Sequence, residues 1–181
     1  MPEKSPGSTQ QSLFNAQGSS LNHSKFIAAY RVMLVRDQHL PFEQSMLSDS
    51  QQAQAIIRKL IKTYGQSDRE QFCVVLLNTK NVFIGLNIVS TGAVSYAHVS
   101  PREVLKPAIL ANAAAMILCH NHPSGDVSPS REDEAITARI VQACHIIGIQ
   151  VHEHLIISMC DERYYSFADA GIIKKIYDEI G

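Results

Sequence analysis

The run from Phe72 to Leu77, "FCVVLL", offers no polar face. A strand covered on one side only alternates apolar and polar residues; a strand without that alternation must be covered on both sides. The run sits inside "EQFCVVLLNTKNVFIGLNIVS", where a second β-rich stretch follows Asn78-Thr79-Lys80-Asn81, so the segment reads as a hairpin whose first strand is central. A central hairpin strand needs helices on either side, and helical patterns are interleaved with the strands along the chain. The expectation is an α/β fold, a mixed sheet flanked by helices rather than a purely parallel one.

Residues 1–24 are rich in Ser, Gln, Asn, Gly and Pro and read as a flexible tail, with a strand arm over 25–47 built on "FIAAYRVMLVR" and a main domain over 48–181. Ala53, Ile56, Ile57, Leu60, Ile61 and Tyr64 recur at helical spacing, with Ser48, Asp49 or Ser50 as N-cap and Gly65 as the stop. A short strand is expected around Val94 to Val99. "SPREVLKPAILANAAAM" opens a helix with Ser100 at the N-cap, Pro101 at N1 and Glu103 closing a capping box, and Pro107 should bend or shorten its first turn. Met116 to Cys119 forms a short buried strand running straight into His120. Glu134 to Ile147 is helical, with Ala135, Ile136, Ile140, Ala143, Cys144 and Ile147 on its apolar side and Gly148 ending it. "IQVHEHLIIS" and "RYYSFADAG" read as strands, and Ile172 to Ile180 as a terminal helix.

Composition narrows the function classes. Apolar residues at 45% and charged residues at 18% fit a soluble globular chain. No run is long and apolar enough to span a bilayer, and "MPEKSPGSTQQSLFN" lacks the apolar stretch of a signal peptide, so no membrane association and a cytoplasmic location are expected. The formal net charge of −1 supplies no overall excess of cations for a phosphate backbone, although Arg58, Lys59, Lys62 and Arg69 could form a local patch for DNA. Cys73, Cys119, Cys144 and Cys160 are widely spaced and form no CxxC pair, so buried free thiols in a reducing compartment are expected.

The chemistry gathers in "CHNHPSGDVSPSRED". On extended backbone, residues i and i+2 share a face, so His120 and His122 can turn a ring nitrogen toward one ion while Asn121 points away. Asp133, at the start of the next helix, is the obvious third ligand. Such a set leaves a fourth position open on a divalent ion, zinc above all, which lowers the pKa of its water to about 7. Ser130-x-x-Asp133 is equally the pattern of a capping box, and a carboxylate folded back on the cap would be less free to reach a metal. Ser128 followed by Pro129 is itself a good cap pair, and capping is expected there, which leaves Ser130 and Asp133 for chemistry. His152-Glu153-His154 repeats the His-x-His spacing without a Ser-x-x-Asp partner and reads mainly as strand residues. Hydrolysis also needs a base; Glu70, at the mouth of the central strand, is better placed than Glu132 or Glu134, its plainer alternative being an exposed strand-end glutamate.

His120-x-His122-Pro123, with seven residues between His122 and Ser130 and two between Ser130 and Asp133, resembles the JAMM metal motif of MPN (JAB) domains. "PREVLKPAILANAAAMILCHNHPSGDVSPSREDEAIT" is more similar still to the bacterial RadC-like branch, and the likeness runs from Glu70 to Gly171, taking in Gly92, Pro101, Arg102, Glu103 and Asn112. The resemblance implies a cytidine-deaminase-like domain with a curved mixed sheet. It also implies zinc on His120, His122 and Asp133, oxyanion stabilisation by Ser130 and a general base at Glu70. His154 falls where RadC-like chains tend to carry histidine, after an acid that is Glu153 here. Longer RadC proteins carry a helix-hairpin-helix-like region before this domain; fewer than 50 residues precede the first helix here, which resembles the short forms found on mobile elements. The leading expectation is a zinc-dependent metallopeptidase cleaving an amide or isopeptide bond in a peptide or protein. A repair- or recombination-associated DNA-binding protein and a catalytically silent scaffold are the alternatives.

Overall fold

Strand β1 (Gln71–Leu77) is buried at every residue, as its composition demands. In the computed structural model it occupies an interior position of a five-stranded sheet of order β2-β1-β3-β4-β5, in which β2 is Phe83–Thr91, β3 Ala115–His122, β4 Gln150–Ser158 and β5 Tyr164–Ser166. The structure describes residues 31, 33–35, 37, 47, 49–92 and 99–181; apart from Arg31, all lie in one compact unit, residues 32–181. The expected tail falls outside the described residues, as do most of the strand arm, Ser48 and residues 94–98.

β1 runs antiparallel to both β2 and β3, β3 runs parallel to β4, and β4 runs antiparallel to β5, so the sheet is mixed. The middle strand is β3 rather than β1. β3 is also longer than the four residues expected, because its pairing continues through both histidines to His122 opposite Ser158.

Side-chain alternation splits the interior into two layers. Phe72, Val74, Leu76, Met116 and Leu118 pack with Val104 and Ala108 of α2 (Pro101–Leu110), with Ile136, Ile140, Val141 and Cys144 of α3 (Arg131–Ile147), and with Ile173 and Ile176 of α4 (Ile172–Ile180). Cys73, Val75, Leu77, Ile117, Cys119, Leu155 and Ile157 pack on the other face with Ala53, Ile57 and Ile61 of α1 (Ser50–Tyr64). Among the described residues, one helix therefore covers one face and three cover the other. None of these helices is long and apolar enough to cross a membrane.

Some local expectations hold and others are corrected. Asp49 caps α1 as expected, accepting from the Gln52 N–H at 2.7 Å. Ser100 stands at the N-cap of α2, but its side chain makes no cap hydrogen bond, so the capping box with Glu103 does not form. Pro107 lies inside α2, which ends at Leu110. α3 starts at Arg131, three residues earlier than expected, and its buried face takes in Thr137 and Val141 while Ile147 is exposed. Gly148 closes α3 at φ 76°, a left-handed conformation that only a residue without a Cβ adopts at little penalty. Arg58 is buried against the β4–β5 turn, ion-paired with Glu162 and donating to the Arg163 carbonyl at 3.0 Å. It therefore drops out of the expected basic patch, leaving Lys59, Lys62 and Arg69 exposed.

All four cysteines are free, and three of them, Cys73, Cys119 and Cys144, are buried; Cys160, against expectation, is exposed. Burial pushes the Cys73 and Cys144 thiols up to about 12 and Cys119 well above its ordinary value. Because the thiolate is the reacting species, the native chain should consume one equivalent of a thiol reagent quickly, at Cys160, and the other three only on denaturation. Fast reaction of a second thiol in the native state, with the Cys160→Ser variant as control, would contradict this layering.

Candidate metal centre

The two histidines reach the end of β3 on the face that α3 covers. His120 pairs with Phe72 across the sheet and their rings stack, with centroids 6.0 Å apart and planes 11° from parallel. Asn121 points to the other face, as its parity requires. Its amide oxygen accepts from the Gln71 N–H at 3.0 Å and its NH2 donates to the Arg69 carbonyl at 2.8 Å. The segment 69–71 is thereby pinned beside the end of β3, and Glu70, half-buried within it, accepts at its carbonyl from the Gly92 N–H at 2.9 Å.

Beyond His122 the chain turns at once. The Gly125 N–H donates to the His122 carbonyl at 3.1 Å, with Gly125 at φ 84°. His122 Nδ1 is hydrogen-bonded to the Asp126 carbonyl. Ser128 belongs to this turn, its N–H donating to Asp126 Oδ1 at 2.9 Å.

The cap is Ser130, not Ser128, which corrects the expectation. Ser130 Oγ accepts from the Asp133 N–H at 3.1 Å, while Asp133 Oδ2 accepts from the Ser130 N–H at 2.8 Å and from its hydroxyl at 2.7 Å. The capping box does not withdraw Asp133 from the histidines. It occupies Oδ2 only, and Oδ1 lies 3.3 Å from His120 Nε2. That same Nε2 is 3.1 Å from His122 Nε2. One ligand atom from each of His120, His122 and Asp133 falls within 4.8 Å of the others. Four ligands tetrahedrally arranged at about 2.0–2.1 Å from an ion lie about 3.3 Å from each other, and the 3.1 and 3.3 Å separations from His120 Nε2 match that spacing.

Burial lowers the His120 pKa to about 4; the Asp133 carboxylate works against that and His122 with it. A neutral imidazole carries the lone pair a metal needs. Burial likewise holds His154 well below its ordinary value, with His120 and His122 adding to the effect.

His154 lies in a strand, as expected, but its side chain reaches the centre, which the strand reading did not anticipate. Met116 pairs with Val151 but Ile117 pairs with Glu153, so β4 carries an extra residue at His152. This bulge reverses the alternation along β4. Val151 and Ile156 pack on the same face, and His154 joins them, with Nε2 3.0 Å from His120 Nδ1. Its Nδ1 is 2.6 Å from Thr137 Oγ1, and that hydroxyl donates to the Asp133 carbonyl at 2.5 Å. Thr137 was not singled out from sequence; its place one turn after Asp133 on α3 is the available signal. Glu153 faces α1, accepting from Ser50 Oγ at 2.6 Å, Ser166 Oγ at 2.5 Å and two backbone N–H groups. His152 bonds to Asn81 Oδ1 at 3.0 Å, away from the centre.

A family model described as a RadC-like JAB domain matches residues 47–172. The chain is similar to a UPF0758 protein of Rubrobacter xylanophilus, 52% identical over 106 residues that make up 59% of this chain and 45% of the relative. It is also similar to the UPF0758 protein YfjY of Escherichia coli, 39% identical over 143 residues, 79% of this chain and 86% of the relative. For UPF0758 protein YeeS of the same organism the figures are 43% over 114 residues, 63% and 76%. The chain thus spans about half the length of the Rubrobacter relative and most of the length of the two Escherichia relatives.

The capping geometry carries its own test. Ser130→Ala should destabilise the chain by about 1 kcal/mol in denaturant unfolding, the usual worth of an N-cap, and Ser128→Ala by clearly less. The reverse order would restore Ser128 as the cap.

Proposed function

The chain belongs to the RadC-like JAB domain family, and on that premise we propose that it is a zinc-dependent hydrolase of the JAMM metallopeptidase type, cleaving an amide or isopeptide bond in a peptide or protein. The observation that carries the reading is the convergence of two imidazole nitrogens and one carboxylate oxygen at the end of a strand. His122 is half-buried and Ser130 exposed, so the cluster is not sealed from solvent. Two nitrogen donors with a single carboxylate suit zinc and disfavour calcium or magnesium, which take oxygen ligands.

In this proposal His120 and His122 would each offer Nε2 and Asp133 would offer Oδ1. Zinc, when bound, supplies a Lewis acid for a carbonyl oxygen and a water whose pKa falls to about 7. Glu70 takes a proton from the attacking water and returns it to the leaving nitrogen, and the Asn121 bonds to either side of Glu70 hold its backbone while it does so. Ser130 donates to the developing oxyanion. Its hydroxyl donates to Asp133 Oδ2 at 2.7 Å, so this role requires that hydrogen bond to be exchanged. We also place the protein in the reducing cytoplasm, on the strength of its free thiols.

Purified protein should hold about one zinc per chain by elemental analysis, and His122→Ala should lose it. Glu70→Gln should keep the metal yet lower turnover of peptide and isopeptide substrates by about 10²–10⁴, the usual worth of a general base. A wild-type chain that binds no zinc removes the proposal; unchanged turnover in Glu70→Gln removes only Glu70.

A further inference from the structure

We infer that His154 and Thr137 form a one-way hydrogen-bond relay that fixes His120 as its Nδ1–H tautomer, presents the bare Nε2 to the metal position, and ties this ligand to the backbone of Asp133. The inference rests on the metal-binding reading above only for the purpose of the relay, not for its existence.

The direction follows from counting protons. The Asp133 carbonyl can only accept, so the Thr137 hydroxyl, 2.5 Å away, donates to it. A hydroxyl has one proton. Toward His154 Nδ1, at 2.6 Å, Thr137 Oγ1 must therefore accept, which places a proton on that nitrogen. A neutral imidazole carries one N–H, so His154 Nε2 is an acceptor, and His120 Nδ1 at 3.0 Å donates to it. His120 is left with an unprotonated Nε2, the atom that lies 3.1 Å from His122 Nε2 and 3.3 Å from Asp133 Oδ1.

The reversed relay, with the Thr137 hydroxyl donating to His154 Nδ1 and a His120 Nε2–H facing Asp133 Oδ1, would leave the 2.5 Å contact between the Thr137 hydroxyl and the Asp133 carbonyl without a proton. His120, Thr137 and His154 are each fully buried. The His154 ring lies 4.7 Å from Phe167 at 22° between planes and 5.5 Å from Phe72, so an imidazolium there would face aromatic rings in place of an anion. Turning the ring over would exchange both nitrogens for carbon and leave the Thr137 and His120 groups unpaired. The β4 bulge at His152 is what brings His154 to this face at all. His154 and Thr137 are thus positioning residues: each acts on the metal position through His120 or Asp133.

A histidine ligand without such a partner distributes its proton over both nitrogens and has to shed one from Nε2 before it can bind. Loss of a partner of this kind weakens metal affinity on the order of 10- to 100-fold.

The test uses the full chain in two readouts. In metal-free protein with ¹⁵N-labelled histidine, long-range ¹H–¹⁵N spectra should show Nδ1–H tautomers at both His120 and His154. His154→Phe, which keeps an aromatic ring between Phe72 and Phe167, should release His120 to a tautomer mixture and weaken zinc binding about 10- to 100-fold in chelator competition. Thr137→Val should shift both readouts in the same direction, and Thr137→Ser, which keeps the hydroxyl, should restore them; these two variants serve should His154→Phe fail to fold. An Nε2–H tautomer at His120 in the wild type, or wild-type zinc affinity in folded Thr137→Val and His154→Phe, overturns the relay. A chain that shows both Nδ1–H tautomers and binds no zinc overturns the proposed function and leaves the relay standing.

Discussion

The register of β3 against its two neighbours is the constraint on which the rest depends. β1 and β3 are apolar on both faces, so hydrophobic patterning alone does not choose between registers; a one-residue slip would still bury apolar side chains. The buried polar groups make the choice. Asn121 bonds to Arg69 and Gln71 on the α1 side, while His120 meets His154 on the α3 side. A slip would carry the imidazoles toward α1 and leave several buried donors and acceptors unpaired, each worth roughly 1–3 kcal/mol. The groups that make up the candidate centre thus also select the strand pairing that builds it.

Asp133 joins that sheet to α3. A carboxylate in the first turn of a helix is favoured by the exposed N–H groups there, and the capping box holds it through Oδ2. Helix initiation and ligand placement were expected to compete for one side chain. They do not, because a carboxylate has two oxygens and the fold-back that satisfies the cap turns the second toward His120. Where α3 begins and where the third candidate ligand stands are consequently one fact about the chain.

Those features were legible in the sequence to different depths, according to how local their causes are. The burial of β1, the hairpin turn at Asn78 to Asn81, the bounds of α4 and the shared face of His120 and His122 follow from composition and from two-residue or 3.6-residue spacing. The choice between Ser128 and Ser130 does not. Both match cap statistics, and the decision falls to Asp126, whose side chain draws Ser128 into the preceding turn. His154 was hidden for a different reason: alternation along β4 cannot be counted across a bulge that the sequence does not announce. Arg58 looked like a surface cation at its helix position, and only a partner 104 residues away takes it inside.

The three candidate ligands share a further property. His120 is held at Nδ1 by His154, His122 at Nδ1 by the Asp126 carbonyl, and Asp133 at Oδ2 by Ser130. In each case the atom turned away from the cluster is occupied by another part of the fold. The apolar layers on both faces of the sheet are built from side chains other than these three. Under the proposed function, an ion arriving at such a place finds its ligands already oriented by other parts of the fold. The task of shaping the site then falls to Ser130, Thr137, His154 and the Asp126 turn.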